Sequence, residues 1–371
     1  LTTTSAGILS PAAERRHESW LIALVSAAHF ISHYYIILLA PLFVFVRADY
    51  NVSYTELGLA FVAFNVVTAL LQTPAGFLVD RMGAKPLLAG GVALGAAAIA
   101  IAALVDSFWV FVAMFGVAGL ANTVYHPADY TLLSQGVSHE RMGRAFSIHT
   151  FAGMLGGAAA PASLLLIHTI AGWRGAFLGA AALGCIIAAV LALSRDLDLR
   201  RAKIDKASDA AVTEETGWRL LLSLPILQSL FFFVLLAIAN AGLQNYSVVA
   251  LGALFDTPLA VANTALSGYL LLTAIGVLSG GLLTGVTNRH ALVAALGLSA
   301  AALVNFMIGF LDLGSLFLVS MMSLTGFLTG VIMPSRDLIV RENTPAGSFG
   351  KVFGFVTTGF NIGGIVSPLV F

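Results

Sequence analysis

The chain is a succession of long apolar stretches parted by short polar ones. Stretches long enough to cross a bilayer, about 20 residues each, fall near 20–46, 55–79, 86–105, 108–134, 145–170, 174–194, 224–254, 262–286, 291–311, 314–340 and 352–371. Most connections between them are short, as hairpins of antiparallel helices require, whereas a membrane β-barrel would show weaker segments of alternating polarity. Eleven helical crossings are therefore expected in an all-α membrane protein. One stretch breaks the rhythm: "SRDLDLRRAKIDKASDAAVTEETGW", 194–218, is polar and mixed in charge, as a solvated linker should be. It divides the chain into a polar tail at 1–19, a six-helix bundle at 20–194, a cytoplasmic linker at 195–223 and a second bundle at 224–371.

An internal repeat relates the bundles. Moving the first half by 207 positions, which carries Gly119 onto Gly326, also carries Pro127 onto Pro334, Gly143 onto Gly350, Arg144 onto Lys351, Phe146 onto Phe353, Gly156 and Gly157 onto Gly363 and Gly364, and Pro161 onto Pro368. Small residues and prolines set how closely helices approach and where they bend, so their joint recurrence reads as two copies related by a parallel repeat. On this register Phe371 falls on Leu164, inside the fifth stretch, and nothing matches the sixth. The end of helix 11 and the whole of helix 12 are thus expected to be missing. A first residue of Leu in place of Met points the same way, and the tail "LTTTSAGILSPAAERRHES" lacks the apolar core of a signal peptide.

Composition agrees with a membrane location: 59% of the 371 residues are hydrophobic and 10% charged, a balance a soluble domain could not keep without large exposed apolar patches. Zero formal net charge gives no pull toward nucleic acid, and the single Cys185 leaves no disulfide framework or thiolate metal site. With alternating crossings, all of the 18 Lys and Arg except Arg47, Arg174 and Arg336 fall on one side. That side is the cytoplasm by the positive-inside rule. A monomer in the cytoplasmic (inner) membrane of a bacterium, with a cytoplasmic N-terminus, is the expected setting.

After the second crossing comes "GFLVDRMGAKP", 76–86. Gly76 permits close helix approach, Asp80 can cap and pair at the membrane surface, Gly83 turns the chain, and Arg81 and Lys85 anchor the loop. This hairpin resembles the G-x-L-x-D-R-x-G-x-K signature of the major facilitator superfamily, and crossing number, central linker, repeat and orientation agree over the whole chain. The resemblance implies two six-helix bundles, alternating access, and contact of Asp80 with the start of the eleventh helix. The second copy, "GLLTGVTNRH" at 281–290, keeps Gly281 and Leu283 but has Gly285 where Asp80 would fall. "FWVFVAMFGVAGLAN" lacks the basic residue that drug–proton antiporters of the superfamily carry early in the fourth helix, and "GMLGGAAAP" has Ala160 where their motif has Gly. A His-Pro pair followed by an acidic residue, His126, Pro127 and Asp129, is instead similar to the fosmidomycin-resistance-type branch.

In that fold the first, fourth, seventh and tenth helices line the cavity. His29 and His33 share a face of the first, at i and i+4; His126 and Asp129 share one of the fourth, at i and i+3; His149 enters the fifth. Each imidazole alone could be helix-to-helix glue, but polar groups at this depth mark substrate or proton pathways, and histidine titrates near neutral pH. Asn240, Gln244 and Asn245, with Tyr269, offer a neutral hydrogen-bonding face that either contacts solute or bridges helices. Pro127 and Pro334 free the carbonyls of Thr123 and Gly330, so kinks are expected at both. Arg336, opposite Asp129 in the repeat, suits a carboxylate or phosphonate and is expected to meet Asp129 when the cytoplasmic side closes; the alternative is a pair with Asp337 or Glu342.

A proton-coupled secondary transporter for a small polar or anionic solute follows, with efflux preferred over organic-anion uptake. A transporter-like sensor and an intramembrane metal enzyme are the readings from other classes; there is no HExxH sequence for the latter, and no cofactor or metal is implied.

Overall fold

The computed structural model describes residues 11–194 and 217–370, so most of the linker, with Arg195, Arg200, Arg201, Lys203 and Lys206, lies outside the described residues. Every regular element among them is a helix. In order these are α1 (Pro11–Ile37), α2 (Phe43–Tyr50), α3 (Tyr54–Met82), α4 (Ala84–Leu104), α5 (Phe108–Asn122), α6 (Tyr125–Gly136) and α7 (His139–Leu193), then α8 (Trp218–Leu221), α9 (Leu224–Ala241), α10 (Ser247–Phe255), α11 (Leu259–Leu283), α12 (His290–Phe310), α13 (Ser315–Glu342) and α14 (Phe349–Val370). Ten continuous helical segments are long and apolar enough to cross a membrane. One of them, α7, turns back at Gly172, where φ is +69°, and crosses twice, which accounts for the eleven passes.

The reversal at Gly172 needs no polar loop, because glycine enters the left-handed region without a Cβ penalty; past it, Gly179 lies against Ile167 of the preceding pass. Passes one, four and seven are broken. The first is interrupted by the short 3-10 turn Ala40–Leu42 with Pro41 inside it. The seventh joins α9 to α10 through a wide π turn, Gly242–Tyr246, a distortion frequent at functional sites.

The repeat is visible as equivalent contacts. A Cβ on Gly119 of the fourth pass would strike the Phe64 carbonyl of the second, and one on Gly326 of the tenth would strike the Tyr269 carbonyl of the eighth. Gly156 lies against Phe30, and its counterpart Gly363 against Ala237, which is Phe30 moved by the same 207 positions. Backbones can touch there only because the residues are small.

The two prolines behave differently. The fourth pass is interrupted at Thr123–Val124, one turn before Pro127, whereas α13 runs through Pro334 without an interruption. The reason lies one turn upstream. Thr123 donates its hydroxyl back to the Leu120 carbonyl at 2.7 Å, competing with the helix ladder, while its repeat counterpart is Gly330, which has no side chain to compete.

The halves are joined at one end. Asp80 accepts from the backbone N–H of Gly350 (2.7 Å) and of Lys351 (2.9 Å); Gln72 donates to Thr357 at 2.5 Å. On the other flank Ser147 donates to the Val277 carbonyl at 2.7 Å, Gly143 abuts Thr284 and Gly281 abuts Ser147.

Candidate functional site

Three helices of the first half converge on one polar cluster. α1 brings His29 and His33, α6 brings His126 and Asp129, and α7 brings His149. Asp129 Oδ2 is 3.1 Å from His149 Nε2 and 3.5 Å from His29 Nδ1. The His29 ring stacks on His149 with centroids 3.9 Å apart, and stands 4.6 Å from His33 and 5.2 Å from His126. All five polar residues expected along this pathway in the first half are therefore in one assembly. Gly153 makes it possible: a Cβ there would fall 2.5 Å from His29 Cδ2 and 3.0 Å from His33 Cδ2.

The cluster is graded in burial. Asp129 and His149 are 0% exposed and His29 4%, whereas His33 and His126 are half-buried. Asp129 Oδ1 and the Nδ1 atoms of His29, His126 and His149 have no hydrogen-bond partner, so the core retains sites for protons. Its donor atoms lie within 4.8 Å of one another, near enough for one metal ion to bridge. The His29 and His149 planes, however, are only 23° from parallel, so their lone pairs run side by side; an ion bonded at about 2 Å to both nitrogens would sit well out of each ring plane. The arrangement suits a shared proton better.

Arg336 does not meet Asp129. Its Nε and one terminal nitrogen are both 2.8 Å from Asp337 Oδ1, and its guanidinium lies over Phe233 at 4.6 Å and Phe360 at 5.4 Å. The repeat does set Asp129 and Arg336 at matching depth, but each has a nearer counter-charge or hydrogen-bond partner on its own half, and buried charges take the partner that needs least reorganisation. Arg336 nevertheless stays close enough to act electrostatically on His126 and His149. Two more residues complete the junction, one of them missed by sequence reasoning. Asp337, fully buried, is the partner just named and the alternative the sequence offered. Tyr130 stacks on Phe353 at 4.1 Å, meets His149 edge-on at 5.3 Å, and sets its hydroxyl beside Asp337 and Arg336.

The neutral face is separate from this cluster. Asn240 accepts from the Tyr269 hydroxyl at 3.0 Å, Gln244 lies beside the same phenol, and Asn245 is exposed in the π turn. In the signature loop Gly76 abuts the Gly350 backbone and Gly83 takes φ +98°. Arg81 is exposed and Lys85 half-buried.

Comparison with known proteins places this geometry. The probable sulfoacetate transporter SauU of Cupriavidus necator is 27% identical over 364 residues, 90% of this chain and 80% of its own length. Two Escherichia coli proteins match over shorter stretches. The probable L-galactonate transporter is 26% identical over 38% of this chain and 32% of its own length; the fosmidomycin resistance protein is 20% identical over 42% and 38%. The fold of the proton:xylose symporter XylE, bound to 6-bromo-6-deoxy-D-glucose, superposes with a TM-score of 0.76 at 12% identity, over 96% of this chain and 88% of that one. The profile of the Major Facilitator Superfamily matches residues 25–368, and the chain, a multi-pass helical membrane transporter and not an enzyme, belongs to that superfamily.

Proposed function

We propose that the chain is a proton-coupled secondary transporter of a small organic anion. The observation that carries this reading is the buried Asp129–His29–His149 core, which reaches the interface through half-buried His33 and His126 and faces Arg336 across it. An unpaired carboxylate at this depth costs several kcal/mol, and exchangeable protons on the neighbouring imidazoles are the means of balancing it. By the distribution of Lys and Arg, the joined end that carries Asp80, Arg141 and Lys351 is cytoplasmic, so the described conformation is closed to the cytoplasm. The protein is read as a monomer in a bacterial inner membrane.

The charges favour symport. Protonated imidazoles and the Arg336 guanidinium repel one another, and an anion between them relieves the repulsion, so each proton bound raises the affinity for the anion and the reverse. The compounds in the names of the relatives share this chemistry: sulfoacetate and galactonate are carboxylates, fosmidomycin a phosphonate. Asn240, Gln244 and Asn245 would hold its uncharged part. Efflux is the second reading, favoured by the match to the fosmidomycin resistance protein; there a proton would displace the solute.

In proteoliposomes, sulfoacetate, galactonate and a phosphonate are offered with and without an inward proton gradient, beside counterflow without one. Gradient-driven accumulation is expected, and Asp129→Asn should lower it about tenfold or more, a coupling of typical size, while sparing counterflow. A gradient response that survives Asp129→Asn, His29→Gln and His149→Gln together refutes proton coupling through this core. Stimulation only by an outward gradient would establish efflux.

A further inference from the structure

We infer that α6 is a hinged lever and Tyr130 its coupling residue: Asp129 reads the proton load of the first half, and Tyr130 transmits it to the Arg336–Asp337 pair of the second. The inference rests on the proton-coupled reading of the cluster and says how occupancy there reaches the opposite half.

Four observations support it. First, α6 is short and separately jointed, since the fourth pass is interrupted at Thr123–Val124 and resumes at Tyr125. Second, Asp129 and Tyr130 are consecutive on this segment, so a shift that improves one contact alters the other. Third, Tyr130 is 2% exposed and touches both parties: its ring is edge-on to His149 and stacked on Phe353 of α14, and its hydroxyl lies beside Asp337 and Arg336 of α13. Fourth, one carboxylate oxygen of Asp337 has no hydrogen-bond partner, so this carboxylate can still accept a bond from the phenol.

The groups facing the lever are His29, His33 and Tyr35 from α1, Tyr125 and His126 from α6 itself, His149 from α7, and Arg336, Asp337 and Arg341 from α13, the last donating to the Ser134 carbonyl. A proton taken up by His29 or His149 turns a neutral imidazole beside the Asp129 carboxylate into its counter-charge and strengthens the pull of the core on α6. In the described state Arg336 is held by Asp337 Oδ1 while Oδ2 stays open; a shift of α6 that brings the phenol onto Oδ2 shares the charge of Asp337 and leaves Arg336 freer for an anion, and the reverse shift returns Asp337 wholly to Arg336 and releases the anion. Tyr130 is thus a positioning residue, acting through Asp337.

The test needs no solute. The full chain carries Cys185→Ser and spin labels at Glu140→Cys and Asn288→Cys, both exposed positions on opposite halves at the joined end, and the closed fraction is read from label distances in lipid nanodiscs as pH is varied. In the parent the closed-to-open ratio is expected to change with pH by at least about fivefold, the lower end of common coupling. Tyr130→Phe, which keeps the ring and removes only the hydroxyl, is expected to flatten that response, as is Asp337→Asn. Phe353→Leu removes the stacking partner and is expected to lower the closed fraction at every pH while keeping the response. Should Tyr130→Phe respond to pH as the parent does, or Phe353→Leu flatten equally, Tyr130 is packing alone and the inference is overturned. A parent whose distances ignore pH overturns the proton reading itself, and the lever with it.

Discussion

At the scale of single residues the decisive position is one without a functional group. Gly153 gives His29 and His33 their places, because a Cβ there would fall 2.5 Å from an imidazole carbon and 2.6 Å from His29 Nε2, closer than atoms in contact can stand. Gly153→Ala is expected to destabilise the chain by about 1–3 kcal/mol, the usual cost of overpacking a tight interior, and to impair proton-driven transport more than counterflow. Thermal unfolding in detergent beside the transport assay checks both, and an unchanged melting temperature would show that α1 can yield. The histidines and Asp129 were legible in the sequence because a polar group in an apolar run has no cheap explanation. Their partners were not. The repeat placed Asp129 and Arg336 at equal depth, but which atoms touch depends on rotation about each helix, and Asp129 turns to His29 and His149 while Arg336 turns to Asp337. Tyr130 gave no signal because an aromatic residue in a crossing is ordinary; its role comes only from the helices it stands between.

At the scale of elements, breaks were harder to read than crossings. Long apolar runs report helices by length alone, and the reversal at Gly172 falls in the gap read between the fifth and sixth stretches, beside Arg174; the π turn at Gly242–Tyr246 lies inside one apolar run and had no such mark. Proline alone does not say where a helix is interrupted, since a break precedes Pro127 and none lies beside Pro334. The junction of α3 and α14 was read correctly as an implication of the signature loop: Asp80 caps the first turn of α14 through two backbone N–H groups. Carboxylate bonds of this kind are worth about 1.5–3 kcal/mol each, and the helix dipole adds to them. Asp80→Asn keeps one acceptor and loses the charge, so the closed state should weaken by about one such bond, a shift of tenfold or more in the closed-to-open ratio. Label distances between Glu140→Cys and Asn288→Cys report it; an unaltered distribution would mean that the cap holds only α14 and not the gate.

At the scale of the whole molecule, the seams between the halves have a direction. The α3–α14 seam runs from Gln72 and Thr357 to Asp80 and Gly350, and the α7–α11 seam is built where Gly143, Ser147 and Gly281 let Thr284 and the Val277 carbonyl come close. Alternating access requires both seams to part at this end while the bundles stay intact, since each half keeps its own helix contacts through the repeated glycines. A covalent tie across one seam should therefore stop turnover without unfolding either half. With Cys185→Ser in the background, Gly143→Cys and Thr284→Cys would bring two thiols together: a Cβ on Gly143 would lie 2.5 Å from the Thr284 Cβ, and a disulfide spans about 3.5–4.5 Å between such atoms, so the helices need ease apart by only about 1 Å. Oxidation is expected to abolish both gradient-driven transport and counterflow, because counterflow also needs both faces to open, and reduction should restore them. Binding of an external anion should survive, since the tied state is the one closed at this end. An oxidised, crosslinked protein that still exchanges solute would show that the α7–α11 seam is static, and would move the gate to the α3–α14 seam alone.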